Sequence, residues 1–196
     1  MLRYGVSTSV DPTLSAIYFA EVGTEVPEKE ELGPDFQNAG LIQEDGFSIA
    51  YNYEEGEAIN AWPATEVGRG ASTRSPEFSF GFLGVADINK LRLAYHEDDI
   101  SGTEEDFTVS DTARDPSTKV VVIDTLLEAT SGERVRQRRV IPQAAFAGRE
   151  DEDFDGESAD AISLTLRCER GEDGVYSRTH TWKEGVGDGS GGGEGN

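Results

Sequence analysis

The stretches GFSIAYNY, residues Gly46 to Tyr53, and EFSFGF, residues Glu77 to Phe82, decide the fold class. In the first, Phe47, Ile49, Tyr51 and Tyr53 alternate with Ser48, Ala50 and Asn52. In the second, Phe78, Phe80 and Phe82 alternate with Glu77, Ser79 and Gly81. Successive side chains of a strand point to opposite faces, so a period of two reads as a strand with one buried and one wet side. AISLTLRCE repeats the pattern with Ile162, Leu164, Leu166 and Cys168. TKVVVIDTLLEAT and ERVRQRRVI flank Ser131-Gly132, which reads as a hairpin turn. AIYFAEV near the start and GVYSRTHTW near the end complete a mainly antiparallel set. ADINKLRLAYHE (Ala86 to Glu97) breaks the rule: Ile88, Leu91 and Tyr95 keep helical spacing, and Asp87 suits a first turn. The expectation is an antiparallel β-sandwich with one flanking α-helix at about 86–97.

The chain has 196 residues, enough for one ordinary domain with a real core. That domain is expected over 1–183, with an acidic, glycine-rich tail over 184–196. The loop 25–36, EVPEKEELGPDF, is long and acidic. The net charge is −22, which disfavours direct binding of nucleic acid or an anionic membrane. Only four of the 17 basic residues are lysine (Lys29, Lys90, Lys119, Lys183), a balance that resembles proteins of salt-in halophilic archaea. A GC-rich genome favouring arginine codons gives the same bias. Cys168 is the only cysteine, so an intrachain disulfide is impossible and a reducing compartment is expected. Nothing in MLRYGVSTSVDP reads as a signal peptide, and no apolar run approaches the roughly 18 residues of a membrane span.

The chemistry is sparse. DEDFDGESADAI, residues Asp151 to Ile162, opens like a calcium loop with Asp151, Asp153, Asp155 and Gly156. Its twelfth position, which needs a bidentate carboxylate, is Ile162, and the residues after Ile162 read as strand. A hydrated acidic loop is the better reading, with the three aspartates as weak metal candidates. His96 and His180 belong to no spaced metal motif, and Cys168 alternates with leucines as a small hydrophobe would. No enzyme activity and no cofactor are expected. RVRQRR is the only basic concentration. Arg134, Arg136 and Arg138 share a parity, forming a stripe for an acidic surface of another copy or a solvated face paired with local acids.

The order of features is similar to that of the major tail tube proteins of long-tailed, non-contractile (siphovirus-like) viruses. The segments that carry the resemblance are Gly40 to Ile49, Ile59 to Val67 with Trp62, Phe78 to Leu83, Asn89 to Tyr95, and Val140 to Phe146, in RVIPQAAF. AWPATE departs from relatives that carry glycines after the tryptophan. The resemblance implies a tail-tube fold, six copies per ring closing a β-barrel, and stacked rings through which viral DNA passes without specific binding. It implies tape-measure, tail-terminator and tail-tip partners, a place in the virion tail, and assembly in the host cytoplasm. The wet parity Ser48, Ala50, Asn52, Glu54, Glu77 and Ser79, with Glu66, is short or anionic and suits the lumen, the helix then lying outside. Arg74 is the cationic exception. Loop 25–36, with Glu28, Glu30 and Glu31, is the candidate contact between rings, and Arg134, Arg136 and Arg138 that between subunits. The alternatives are a tube protein of a secretion or injection machine and a free-standing carbohydrate- or calcium-binding β-domain.

Overall fold

The computed structural model describes residues 16–55, 57–61, 65–69, 73–83, 87–128, 134–149 and 161–183, some strand positions by backbone alone. The Ser131-Gly132 turn, the acidic run with Asp151, Asp153 and Asp155, and the tail 184–196 lie outside the described residues.

The elements are β1 (Ala16–Glu21), β2 (Gln37–Asn38), β3 (Ile42–Glu54), β4 (Ala58–Ala61), β5 (Thr65–Arg69), β6 (Thr73–Leu83), α1 (Ile88–Leu91), β7 (Ile100–Gly102), β8 (Phe107–Val109), β9 (Lys119–Glu128), β10 (Arg134–Arg149), β11 (Ala161–Glu169) and β12 (Arg178–Lys183). The protein is mainly β, and all its ladders are antiparallel. One eight-stranded sheet runs β2-β1-β9-β10-β11-β6-β3, with β12 also on β10; β4-β5 and β7-β8 form separate two-stranded pairs. The expected pairing of TKVVVIDTLLEAT with ERVRQRRVI is present, from Arg134↔Glu128 to Ala144↔Lys119.

The 16-residue β10 organises the sheet. Val135–Val140 carries β12, and Gln143–Arg149 carries β11. Against β9 the register slips between Ile141 and Ala144, where Pro142 supplies no N–H to a ladder. The slip moves the buried positions from Val135 and Ile141 to Ala144, so β10 changes phase as it passes between neighbours. The sheet also rolls. Phe47 and Ile49 of β3 line the same crevice as Ile123, Thr125, Gln137 and Arg139 of β9 and β10, although β11 and β6 intervene in the sheet order. One rolled sheet thus does the work expected of two stacked ones. Its interior collects Ile17 and Phe19, Val121 and Ile123, Ile141, the even positions of β11, and Phe78, Phe80 and Phe82. The three phenylalanines stack along β6 at 5.0 and 6.2 Å between ring centroids. Burying each such side chain stabilises the fold by roughly 1.5–3 kcal/mol.

β9 is buried on both faces, from Val120 through Ile123. Val121 and Ile123 enter the core, while Val120 and Asp124 lie with Arg138 next to the segment 23–30 on the other face. That segment crosses the outer face as a strap. A continuous apolar run rather than an alternating one is what two-sided burial requires.

The expected helix over 86–97 contracts to one turn, Ile88–Leu91, capped by the Asp87 carboxylate accepting from the Asn89 N–H at 3.0 Å. Leu93 and Ala94 are buried beside Ile88 and Leu91, so the segment is apolar on more than one side. A regular helix would leave part of that surface wet, and the chain instead tightens into i→i+3 turns at Leu93 and Ala94. A 3-10 turn, Glu97–Asp99, comes next, with His96 as its cap through Nδ1. No helix among the described residues is long and apolar enough to cross a membrane.

Candidate functional site

Three surfaces stand out: an exposed arm, the strap, and a cationic edge. The arm is the far half of β3 with the start of β6. Its backbone pairs Tyr51↔Pro76, Asn52↔Ser75, Tyr53↔Arg74 and Glu54↔Thr73, and the β4-β5 pair lies beyond it. Alternation predicts that the apolar parity of β3 fills the core throughout. It does so at Ile49, which is half-buried, and in part at Phe47, 40% exposed with its ring 5.8 Å from that of Phe78; Tyr51 is 58% exposed and Tyr53 60%. The reason is geometric, because β3 is longer than the core it covers. The Arg139 guanidinium donates to the Tyr51 hydroxyl at 3.4 Å and ties the start of the arm to the body.

The opposite face of the arm carries the expected lumen set. Ser48, Ala50 and Asn52 are exposed, and Glu77 and Ser79 are half-buried. The register places Ser48 opposite Ser79 and Ala50 opposite Glu77, so these five share one face. Ser79 exchanges a hydrogen bond with Thr165 of β11 at 3.0 Å. The side chains of Glu54, Glu66 and Arg74 lie outside the described ones. The face also holds Arg167, exposed, opposite Glu77 and 3.0 Å from Glu169. Pairing in space puts this cation there, since β11 is some 80 residues from β6 in sequence.

The basic stripe divides. Arg134 is exposed and Arg136 half-buried, but Arg138 is only 5% exposed and lies inside the fold. Its Nε and Nη2 donate to the two Asp124 carboxylate oxygens at 2.7 Å each, and its Nη1 to the Pro27 and Glu30 carbonyls at 2.7 and 2.9 Å. Trp182 lies 5.9 Å from the guanidinium carbon. Arg138 is therefore an internal rivet between sheet and strap, not a side chain offered to another copy. A fork of donors matches a carboxylate bidentately and can still reach backbone carbonyls.

Glu28 and Glu30 are exposed on the strap, and Glu31 just beyond it. The backbone N–H groups of Glu30 and Lys29, with the Arg138 charge behind them, hold the Glu30 carboxyl below its usual 4.5. Its contribution to stability is accordingly present above that value and fades as acid titrates through the lowered one. Between strap and β12 runs a cleft of about 670 Å³ lined by Val26, Pro27, Val120, Val140, Pro142 and His180 among others. β12 itself reads RTHTWK, and it lies against the RVRQRR segment of β10 from Val135↔Lys183 to Val140↔Arg178.

His180 packs on Trp182 at 5.5 Å, and burial pushes the Cys168 thiol up to about 11. Among the described residues, no group of three or more His, Cys, Asp and Glu side chains could hold a metal.

No family model matches the sequence. No curated protein matches it significantly either. Among solved structures, the chain is similar to the sheath/tube terminator of an extracellular contractile injection system, PVC, in its extended state. That match has a TM-score of 0.38 and 12% identity, over 90% of this chain and 99% of the other. The tube-terminating cap of the anti-feeding prophage AFP gives 0.36 and 13%, over 93% and 96%. An Hcp protein gives 0.34 and 9%, over 86% and 98%. These similarities are faint, and the chain's own strands and contacts define its fold and surfaces.

Proposed function

We propose that this chain is a structural subunit that assembles into stacked hexameric rings, forming the tail tube through which a long-tailed, non-contractile virus delivers its genome. The observation that carries the reading is the arm: the far half of β3, where Tyr51, Asn52 and Tyr53 are exposed on both faces of a strand that outruns its own core. A two-stranded ribbon is at best marginally stable in water, and exposed apolar edges invite pairing, so such an element fits a chain completed by its neighbours. The sequence resemblance to tail tube proteins adds the ring number and the conduit role. On this reading the Ser48, Ala50, Asn52, Glu77 and Ser79 face meets the DNA path, the strap with Glu28, Glu30 and Glu31 meets the adjacent ring, and Arg134 and Arg136 lie at the contact between subunits. Tape-measure, terminator and tail-tip proteins are the other partners, and the subunit works in the virion without catalysis or cofactor.

The test is size-exclusion chromatography with light scattering over a range of protein concentrations in molar KCl, followed by negative-stain imaging. Six-fold rings or tubes are expected. A chain that stays monomeric at every concentration overturns the proposal.

A further inference from the structure

Among the described residues, neither β3 nor β12 has a strand on its outer side. The two edges differ in character. From Ile42 to Glu57 the chain carries Glu44, Asp45, Glu54, Glu55 and Glu57 and no basic residue. β12 carries Arg178 and Lys183 and no acid, and it lies against the β10 segment that holds Arg134 and Arg136. We infer that the β3 edge of one copy pairs with the β12 edge of a second copy, joining subunits head to tail. This rests on the assembly proposed above and names its contact.

On a chain of net charge −22, an arbitrary contact between two copies is repulsive. Setting the most acidic edge against the most basic one turns that repulsion into attraction and fixes which surfaces meet. A β3-to-β3 contact would place acids opposite acids, which destabilises a ladder. β2 is only two residues long and offers too little backbone. β12 is six residues long, and its Thr179 and Thr181 pair with Arg139 and Gln137, so they share the face on which Tyr51 meets Arg139. Because the two edges are different patches, each copy keeps one of each free after the first contact. Such a heterologous joint propagates until it closes into a ring.

Disulfide cross-linking tests the contact. Cys168 does not interfere, being 3% exposed with a thiol that stays protonated near neutral pH. The variants Tyr53→Cys and Thr181→Cys are made singly and together and are oxidised in molar KCl under assembling conditions. Expected are a ladder of covalent multimers from the double variant, covalent dimers when the two single variants are mixed, and none from either alone. Separately, Tyr51→Ser with Tyr53→Ser is expected to weaken self-association at least tenfold while the monomer keeps its circular dichroism spectrum and melting temperature. Rings or tubes that form normally but give no ladder overturn the contact and leave the assembly proposal standing, as does self-cross-linking of Tyr53→Cys alone. Unchanged self-association of the tyrosine variant overturns it in the same way. A wild-type chain that never assembles overturns both.

Discussion

Arg138 is where parity and structure part. Its alternation with Arg134 and Arg136 promises a surface stripe, yet its four hydrogen bonds all end inside the molecule, two on Asp124 and two on strap carbonyls from about 110 residues away. A period of two assigns a side chain to a face, and only the fold shows that a strap covers that face. Removing one partner of such a buried pair costs about 3–5 kcal/mol, while replacing both by apolar groups costs less. We therefore expect Arg138→Leu to lower the urea midpoint sharply and Arg138→Leu with Asp124→Leu to recover part of the loss. The strap should loosen in the single variant, and trypsin should then cut faster after Lys29, on a time course read by mass spectrometry.

At the scale of elements, the strands were legible and their limits were not. The phenylalanines at 78, 80 and 82 alternate because β6 has one dry face, and Ile162, Leu164 and Leu166 answer them across β11. Tyr51 and Tyr53 continue the same alternation on β3, and nothing local reveals that the core stops before them. The helix contracted for a related reason: Leu93 and Ala94 are drawn inward by neighbours distant in sequence, which spacing alone does not register. The short β7-β8 hairpin shows the opposite case, where one residue governs an element. Gly102 has φ +120°, and a Cβ there would run into the Asp106 carbonyl oxygen and lie 2.7 Å from Phe107 Cα. Both atoms are backbone and cannot swing away. Gly102→Ala is expected to destabilise the chain by roughly 1–3 kcal/mol, the cost of forcing a side chain into so strained a conformation. Thermal melts against wild type measure it.

At the scale of the molecule, charge is the dominant fact. With thirty-nine acids against 17 basic residues, the surplus acids repel one another in dilute buffer; among the described residues Asp124 is paired with the buried Arg138, and the buried Asp99 with the half-exposed Arg114. Screening shortens from about 10 Å at 0.1 M salt to about 3 Å at 1 M. The melting temperature followed by circular dichroism is expected to climb steeply from low to molar KCl, as a halophilic host would require. A flat profile would favour the GC-rich alternative. Composition made this property legible at once, whereas the candidate site was legible only in part. The Ser48–Asn52 face comes from parity, while Arg167 joins it through a strand pairing that no local pattern announces.

The order in which strands pair has a consequence for how the chain is made. β1 finds its ladder on β9, from Ala16↔Asp124 to Glu21↔Lys119, and β6 must wait for β11. At about 5–20 residues per second of synthesis, β1 leaves the ribosome on the order of 5–20 seconds before its partner exists. During that interval the β3-β6 ladder can form, but Phe78, Phe80 and Phe82 still lack the β11 residues that face them. The nascent N-terminal half is thus the most aggregation-prone species this protein passes through. Residues that seal the interior late in synthesis, such as Ile162 and Leu164, should govern the yield of soluble protein more strongly than its final stability.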